Sequence, residues 1–429
     1  MAQATADRER QGIEAMSYED LYRRWEHGNW SAWDIDFSQD RVDWHETFDD
    51  LERRSALWTY SMFFHGEDSV ATNLSPYIDA APLEEQKYFL ATQQVDEARH
   101  SVFFNRFMQE VVNAGSGSVS STLEATRPEL SWGFQKTFAA LDKVADELRR
   151  DRSIPNFARS IVMYHFIVEA TLAQPGQHFI ESYCNERGIL PGFAGGMENV
   201  SHDEQRHIGF GVKCLSDLNK QDPECKAAVA ELLRDVMPYA SAVFVPPNWD
   251  RRYAEVFGKS LEDIYEDGMS SFETKLRMAG MPLESLPGAP PFPIDQTPRE
   301  RAEQVLAILQ AGYLGEKTGP PKRDPESVAQ LFDLIKRSID KSAAPGGAAT
   351  ILWEFTDLDP WYLRIDNGSS DAKQGRPENP DLVLRCRFDD WVEVVARRRD
   401  PRVAIATGKL RPKGSMRVLL RMPKIFGRR

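Results

Sequence analysis

Cysteine is scarce in this sequence. Cys184, Cys214, Cys225 and Cys386 are the only four in 429 residues, and no two form a Cys-x-x-Cys pair. They read as reduced thiols of a cytoplasmic protein, not as a zinc site or a disulfide framework. Long apolar runs are missing as well: none approaches the ~20 residues of a membrane span. The amino terminus, Met1-Ala2-Gln3-Ala4-Thr5-Ala6-Asp7-Arg8, lacks the apolar core of a signal peptide. Positive charge is in deficit. The 53 lysines and arginines face 66 acids, and the net charge of -13 argues against nucleic acid as a partner. What remains is 41% hydrophobic and 28% charged, a globular balance with room for two or three domains.

Two short motifs stand out. Val95-Asp96-Glu97-Ala98-Arg99-His100 and Ser201-His202-Asp203-Glu204-Gln205-Arg206-His207 each contain Glu-x-x-His. On a helix, residues three apart share a face, so each motif aims a carboxylate and an imidazole the same way. One such motif alone is weak, because a solvated helix face looks the same. Here two more acids alternate with the pair: Glu67 in Phe64-His65-Gly66-Glu67-Asp68-Ser69-Val70 and Glu169 in Phe166-Ile167-Val168-Glu169-Ala170. The order Glu, Glu-x-x-His, Glu, Glu-x-x-His is the ligand set of a carboxylate-bridged di-metal site in a four-helix bundle. Apolar residues flank all four segments, and carboxylates brought together in a core repel one another unless cations join them.

Along the chain, a polar segment over residues 1–45 precedes a helix from about Asp49 to Asn73, interrupted or ended by Ser75-Pro76. Further helices are expected from Leu83 to about Val112 and from Trp132 to Arg150. One starting near Pro155 carries Tyr164 and Glu169, and Pro175-Gly176 should kink or break it. Pro191 and Pro223 open two more. Helices over 261–278 and about 299–314 follow, on either side of a proline-rich stretch between Pro282 and Pro298. Gly319-Pro320-Pro321-Lys322-Arg323-Asp324-Pro325 reads as a linker.

Beyond it the pattern changes. Helix is expected over 327–341, 388–398 and 415–425, with alternating strands at 351–355, 361–365 and 382–386. The fold class is therefore mainly α. A ferritin-like four-helix-bundle di-metal domain with extra helices (1–318) is joined through 319–325 to a small α+β domain (326–429). The basic tail, with Arg397-Arg398-Arg399, Lys413, Arg417, Arg421, Lys424, Arg428 and Arg429, is a solvated face, a patch that docks on the acidic bundle, or a peripheral contact with anionic lipid.

With these residues placed, residues of about 25 to 285 resemble the ribonucleotide reductase small-subunit superfamily. Trp33-Asp34-Ile35-Asp36-Phe37-Ser38-Gln39-Asp40-Arg41-Val42-Asp43-Trp44 is similar to the segment before that family's first long helix. The resemblance implies metal ligands Glu67, Glu97, His100, Glu169, Glu204 and His207, with Asp203 orienting a ligand histidine and Trp33 as an electron-relay tryptophan. Phe104 stands where the family's radical tyrosine would be, the first ligand is Glu in place of Asp, and a folded domain replaces the flexible tail. These departures point away from a working reductase subunit and towards the related ligand-binding oxidases. That group implies a manganese–iron site, dioxygen as oxidant and a long-chain fatty acid or other hydrophobic molecule at the metals. It also implies a valine–tyrosine linkage, whose positions here are Val70 and Tyr164. Pro175-Gly176 departs from that group in the pocket wall, so the ligand can differ.

Residues of about 326 to 426 resemble the sterol carrier protein type-two fold through Asp389-Asp390-Trp391, Arg399-Asp400-Pro401-Arg402-Val403-Ala404 and Thr407-Gly408-Lys409-Leu410. That fold implies an apolar tunnel for acyl chains or sterols. The superfamily further implies a homodimer and an electron donor that the residues do not identify. Two other readings stay open. One is a di-iron oxygenase on a biosynthetic intermediate, without the linkage. The other is a lipid-binding or metal-binding protein without turnover.

Overall fold

A computed structural model describes residues 16–427. It divides the chain into two compact units, Met1–Val229 with Val243–Pro282, and Ala230–Ala242 with Leu283–Arg429.

The first unit is helical. Helix α1 spans Tyr18–His27, α2 Asp50–Asn73, α3 Glu84–Phe107, α4 Trp132–Arg150 and α5 Ile154–Ile161. Helix α6 spans Gln174–Arg187, α7 Pro191–Gln221 and α8 Leu261–Met278. Asp49 opens α2 with a capping box, its side chain taking the amides of Leu51 and Glu52 while Glu52 reaches back. From Ser55 to Phe64, nine of ten α2 residues are buried, so this helix sits inside the bundle rather than on its rim. The expected interruption at Ser75-Pro76 is a second short helix, Ser75–Ala80, with the proline in its first turn.

Helix α5 does not continue as an α-helix. Val162–Ala173 is a π-helix of 12 residues, and α6 restarts at Gln174 with Pro175 in its first turn. Proline has no amide hydrogen to donate back, so the chain there needs another pattern. Thr171 contributes by donating its hydroxyl to the Phe166 carbonyl at 2.6 Å. The irregularity expected at Pro175-Gly176 thus lies before the proline and contains Glu169.

The segment Asp36–Trp44 has a mechanical role. Asp40 accepts the amides of Gly192 and Phe193 at 2.9 and 2.7 Å, and Asp43 that of Leu190 at 2.8 Å. Two acids therefore satisfy the open amides at the start of α7, the helix that carries Glu204 and His207. The approach is close: a Cβ on Gly192 would lie 2.3 Å from the Asp36 carbonyl oxygen.

In the second unit, α9 (Pro298–Gln310) packs on α10 (Pro325–Arg337), with Gln304 donating to Asp333 at 3.1 Å. This unit therefore includes a helix that precedes the stretch 319–325 where the composition changes. The strands are β1 (Ala348–Phe355), β2 (Trp361–Asp366), β3 (Ser369–Gln374), β4 (Leu382–Cys386) and, after helices α11 (Phe388–Val395) and α12 (Pro401–Ala406), β5 (Leu410–Gly414). Helix α13 (Met416–Ile425) follows. The sheet order is β3-β2-β1-β4-β5, with β1 and β4 parallel and the other pairs antiparallel. Under it, Phe332 lies between Trp361 and Trp391, its ring stacked at 4.6 and 5.2 Å. All four cysteines are buried and free. Among the described residues, no helix is long and apolar enough to cross a membrane.

Candidate metal centre

Helices α3 and α7 carry the same five-residue pattern, Asp-Glu-x-Arg-His, at Asp96–His100 and Asp203–His207. The bundle turns both patterns inward. Helix α2 adds Glu67 and the π-helix adds Glu169, and all six side chains are buried. Ligand atoms of Glu67, Glu97, His100 and Glu204 lie within 4.8 Å of one another, as do those of Glu97, Glu169, Glu204 and His207. The structure thus brings all six expected residues together, with Glu97 and Glu204 common to both groups.

The histidines are braced crosswise. His100 Nε2 meets Asp203 Oδ2 at 3.1 Å, and His207 Nε2 meets Asp96 Oδ2 at 3.1 Å. Each aspartate accepts from the imidazole on the opposite helix, so each ring presents Nδ1 to the carboxylates. His100 Nδ1 lies 3.2 Å from Glu67 and 3.5 Å from Glu97; His207 Nδ1 lies 3.2 Å from Glu97 and 3.5 Å from Glu169. Arg99 reaches Asp96 at 2.8 Å and Asp203 at 3.5 Å, and Arg206 reaches the same two acids at 3.0 and 2.5 Å.

Charge shows what such a cluster needs. Six carboxylates (Glu67, Glu97, Glu169, Glu204, Asp96, Asp203) face two guanidinium groups, which leaves four negative charges if the histidines are neutral. Two divalent cations would balance them. Three buried atoms at the centre, Glu169 Oε2, Glu204 Oε2 and His207 Nδ1, have no hydrogen-bond partner. The donor set therefore fits a pair of metal ions. Without cations, burial pushes the Glu67, Glu169 and Glu204 carboxyls above their usual range. Burial acts on Glu97 too, but the two imidazoles outweigh it and hold that carboxyl well below the usual range. Burial likewise opposes the charge on Asp203, yet the His100 bond and Arg206 hold it at about 2.

Tyr164 and Val70 lie in the wall of the same pocket, beside Glu67, Glu97, Glu169 and Glu204. Tyr164 Oη donates to Glu97 Oε1 at 2.5 Å. The pocket has a cavity volume of about 60 Å³. Its walls are apolar, from Met62, Phe63, Phe134, Phe138, Val168 and Leu172. Gly176 sits behind Phe63, where a Cβ would come within 2.7 Å of the ring. Phe104 is buried and stacked on Phe63 at 6.0 Å.

Trp33 is the expected residue that the structure does not bring in. It is 72% exposed and lies under the Arg106 guanidinium. The indole on Asp203 belongs to Trp30, whose Nε1 donates at 2.9 Å while its ring stacks on His100. Trp25 does the same for Asp96, at 2.8 Å. The spacing of tryptophans across an irregular segment carries no rule for choosing between Trp30 and Trp33. Asp96, by contrast, has a sequence signal, because it occupies the place in its motif that Asp203 occupies in the other. A further chain runs outward from Glu169: Gln93 Nε2 donates to Glu169 Oε1 at 2.8 Å, and Gln93 Oε1 lies 3.1 Å from His165 Nε2. Burial lowers His165 to about 3, so its ring is neutral.

The family model described as "Ribonucleotide reductase, small chain" matches residues 11–242, and that of the "SCP-2 sterol transfer family" matches residues 328–427. The chain belongs to the ribonucleotide reductase small-chain family and carries a carboxyl-terminal SCP-2 domain. Among solved structures, it is similar to variants of an "R2-like ligand-binding oxidase" with a reconstituted Mn/Fe cofactor. One, anaerobically reconstituted, is 24% identical, with a TM-score of 0.52 over 62% of this chain and 94% of that one. Another, aerobically reconstituted, is 22% identical, with a TM-score of 0.54 over the same shares of the two chains. At such identities the likeness establishes a shared fold.

Proposed function

We propose that this chain is a dioxygen-dependent di-metal oxidase acting on a hydrophobic, fatty-acyl-like ligand. Glu67, Glu97, His100 and Glu204 would hold one metal ion, and Glu97, Glu169, Glu204 and His207 the other. The observation that carries this reading is the convergence of six ligating side chains at one end of an otherwise apolar pocket. Carboxylate oxygens and imidazole nitrogens suit manganese with iron as well as iron with iron, and the Mn/Fe cofactor of the solved relatives favours the mixed pair. When bound and reduced, the metals supply dioxygen activation and the power to remove hydrogen from an unactivated C–H bond, which acid–base side chains cannot do.

The residues do the rest. Asp96 and Asp203 fix each imidazole with Nδ1 towards the metal position and raise its basicity. Phe63, Phe138, Val168 and Leu172 exclude water and accommodate an acyl chain, whose carboxylate would lie at the charged end of the pocket. Tyr164 keeps its proton through burial and its carboxylate neighbours, and directs it at Glu97 Oε1. A Val70–Tyr164 linkage would remove the phenolic hydrogen and one valine hydrogen, two electrons in all, with dioxygen as acceptor. Phe104 offers no phenol for a tyrosyl radical, which supports an oxidase over a reductase subunit. The chain would work as a cytoplasmic homodimer, drawing on a separate electron donor, and its SCP-2 domain would supply lipid.

The test is oxygen uptake after anaerobic Fe(II) and Mn(II) loading, with mass mapping of tryptic peptides. Uptake with loss of two hydrogens from a joined Val70–Tyr164 peptide is expected. Uptake without the linkage would favour an oxygenase on another substrate, and no uptake would reduce the chain to a binding protein.

A further inference from the structure

The end of the chain is basic in an otherwise acidic protein. From Pro401 to Arg429 the sequence holds nine lysines and arginines and no aspartate or glutamate, against a net charge of -13 for the whole. Helix α13 divides its part of that stretch between two faces. At about 100° per residue, Val418, Leu419, Met422, Ile425 and Phe426 fall on one side. Val418 and Ile425 are buried there, and the other three pack on the core of the unit. The opposite side carries, in angular order, Met416, Leu420, Lys424, Arg417 and Arg421, all exposed. Met416 is 63% and Leu420 73% exposed.

The cations on this face are uncommitted. Arg402 is paired with Asp400 and Lys409 with Asp390. Among the described residues, Arg417, Arg421 and Lys424 have neither a carboxylate nor a hydrogen-bond partner. Strand β5, at the sheet edge, leads into the helix with Arg411 and Lys413 exposed two residues apart, on one face of the strand.

An outward leucine and methionine lie among these cations, so the face is mixed rather than purely charged. A nucleic-acid surface would pair such cations with stacking rings, and this face has none. A bilayer with acidic headgroups takes both parts: the apolar side chains enter the headgroup boundary while the long cations stay at phosphate level. We propose that α13 and the end of β5 form a docking surface for an anionic lipid bilayer. The proposal stands independently of the metal centre.

Flotation of the full-length chain with phosphatidylcholine vesicles, with and without phosphatidylserine, tests it. The chain should float with the acidic vesicles alone, and less as salt rises. Replacing Arg417, Arg421 and Lys424 together by Gln should weaken binding on the order of a hundredfold. Met416→Ser with Leu420→Ser should weaken it by about tenfold. Arg417→Lys with Arg421→Lys should retain it, and circular dichroism of each variant checks the fold. Equal binding to neutral vesicles, or undiminished binding by the folded triple variant, would overturn the proposal. So would a chain that ignores acidic vesicles and uses the same cations to bind duplex DNA or another copy of itself.

Discussion

His100 and His207 are each braced from behind by the aspartate of the other helix, at equal distances, but the acids in front of them are held differently. Glu67 comes from a regular α-helix and faces His100 Nδ1 directly, at 3.2 Å. Glu169 comes from a π-helix and takes a hydrogen bond from Gln93, which His165 holds in turn. Tyr164 donates to Glu97 on the atom nearer His207, while Trp30 stacks only on His100. The pattern Asp-Glu-x-Arg-His thus sets up two matched positions, and the supporting residues make them unlike. Unlike positions are what a pair of different metals would need.

The largest effect should come from a residue common to both positions. Glu204→Ala should abolish binding of at least one metal, read by elemental analysis after reconstitution. The metal-free variant should be no less stable than the parent, because burial already disfavours the Glu204 charge. Retention of both metals and of oxygen reactivity would remove Glu204 from the ligand set. Next come the braces. Asp203→Asn and Asp96→Asn should each weaken metal binding about 10–100-fold, the first at the His100 position and the second at the His207 position. Paramagnetic resonance of half-loaded protein would distinguish the two, and identical behaviour would erase the comparison.

Gln93→Leu should act on the His207 position alone. It leaves Glu169 Oε1 and His165 without their partner and should cost about 1–3 kcal/mol in thermal or urea unfolding. An altered resonance signal with unchanged Asp203-side properties is expected. The smallest effect is a pH dependence. Burial lowers His65 from 6.5 to about 4, beside Thr126. A depressed folded-state pKa means that the unfolded chain binds the proton first. The contribution is therefore full above about 6.5 and is lost as pH falls towards about 4. Urea midpoints measured across that window should fall less steeply for His65→Gln than for the parent.

How much of this was legible in the sequence follows from the periodicity of each part. The convergence of the six candidate ligands was, because Glu-x-x-His and its flanking apolar residues follow the helical repeat. So were the Asp49–Asn73 and Trp132–Arg150 helices, whose caps and patterns agree with their structure. The π-helix was not, since Val162–Ala173 is apolar almost throughout and offers no alternation from which to read its pitch. The Trp30–Asp203 bond was not, because the irregular turn around Trp33 follows no period. In the second unit, the inner strands showed through their alternating apolar residues. Strands β3, with the polar run Ser369–Gln374, and β5, with Pro412, are the two edges, where polar residues and proline are tolerated and the strand pattern vanishes.

The central claim is that the two unlike positions hold two metal ions. The most direct measurement is elemental analysis with electron paramagnetic resonance after reconstitution with Mn(II) and Fe(II) under controlled oxygen. Manganese and iron in equal amounts, one of each per chain and magnetically coupled, is the predicted result. A folded chain that takes up no stoichiometric metal would contradict the account.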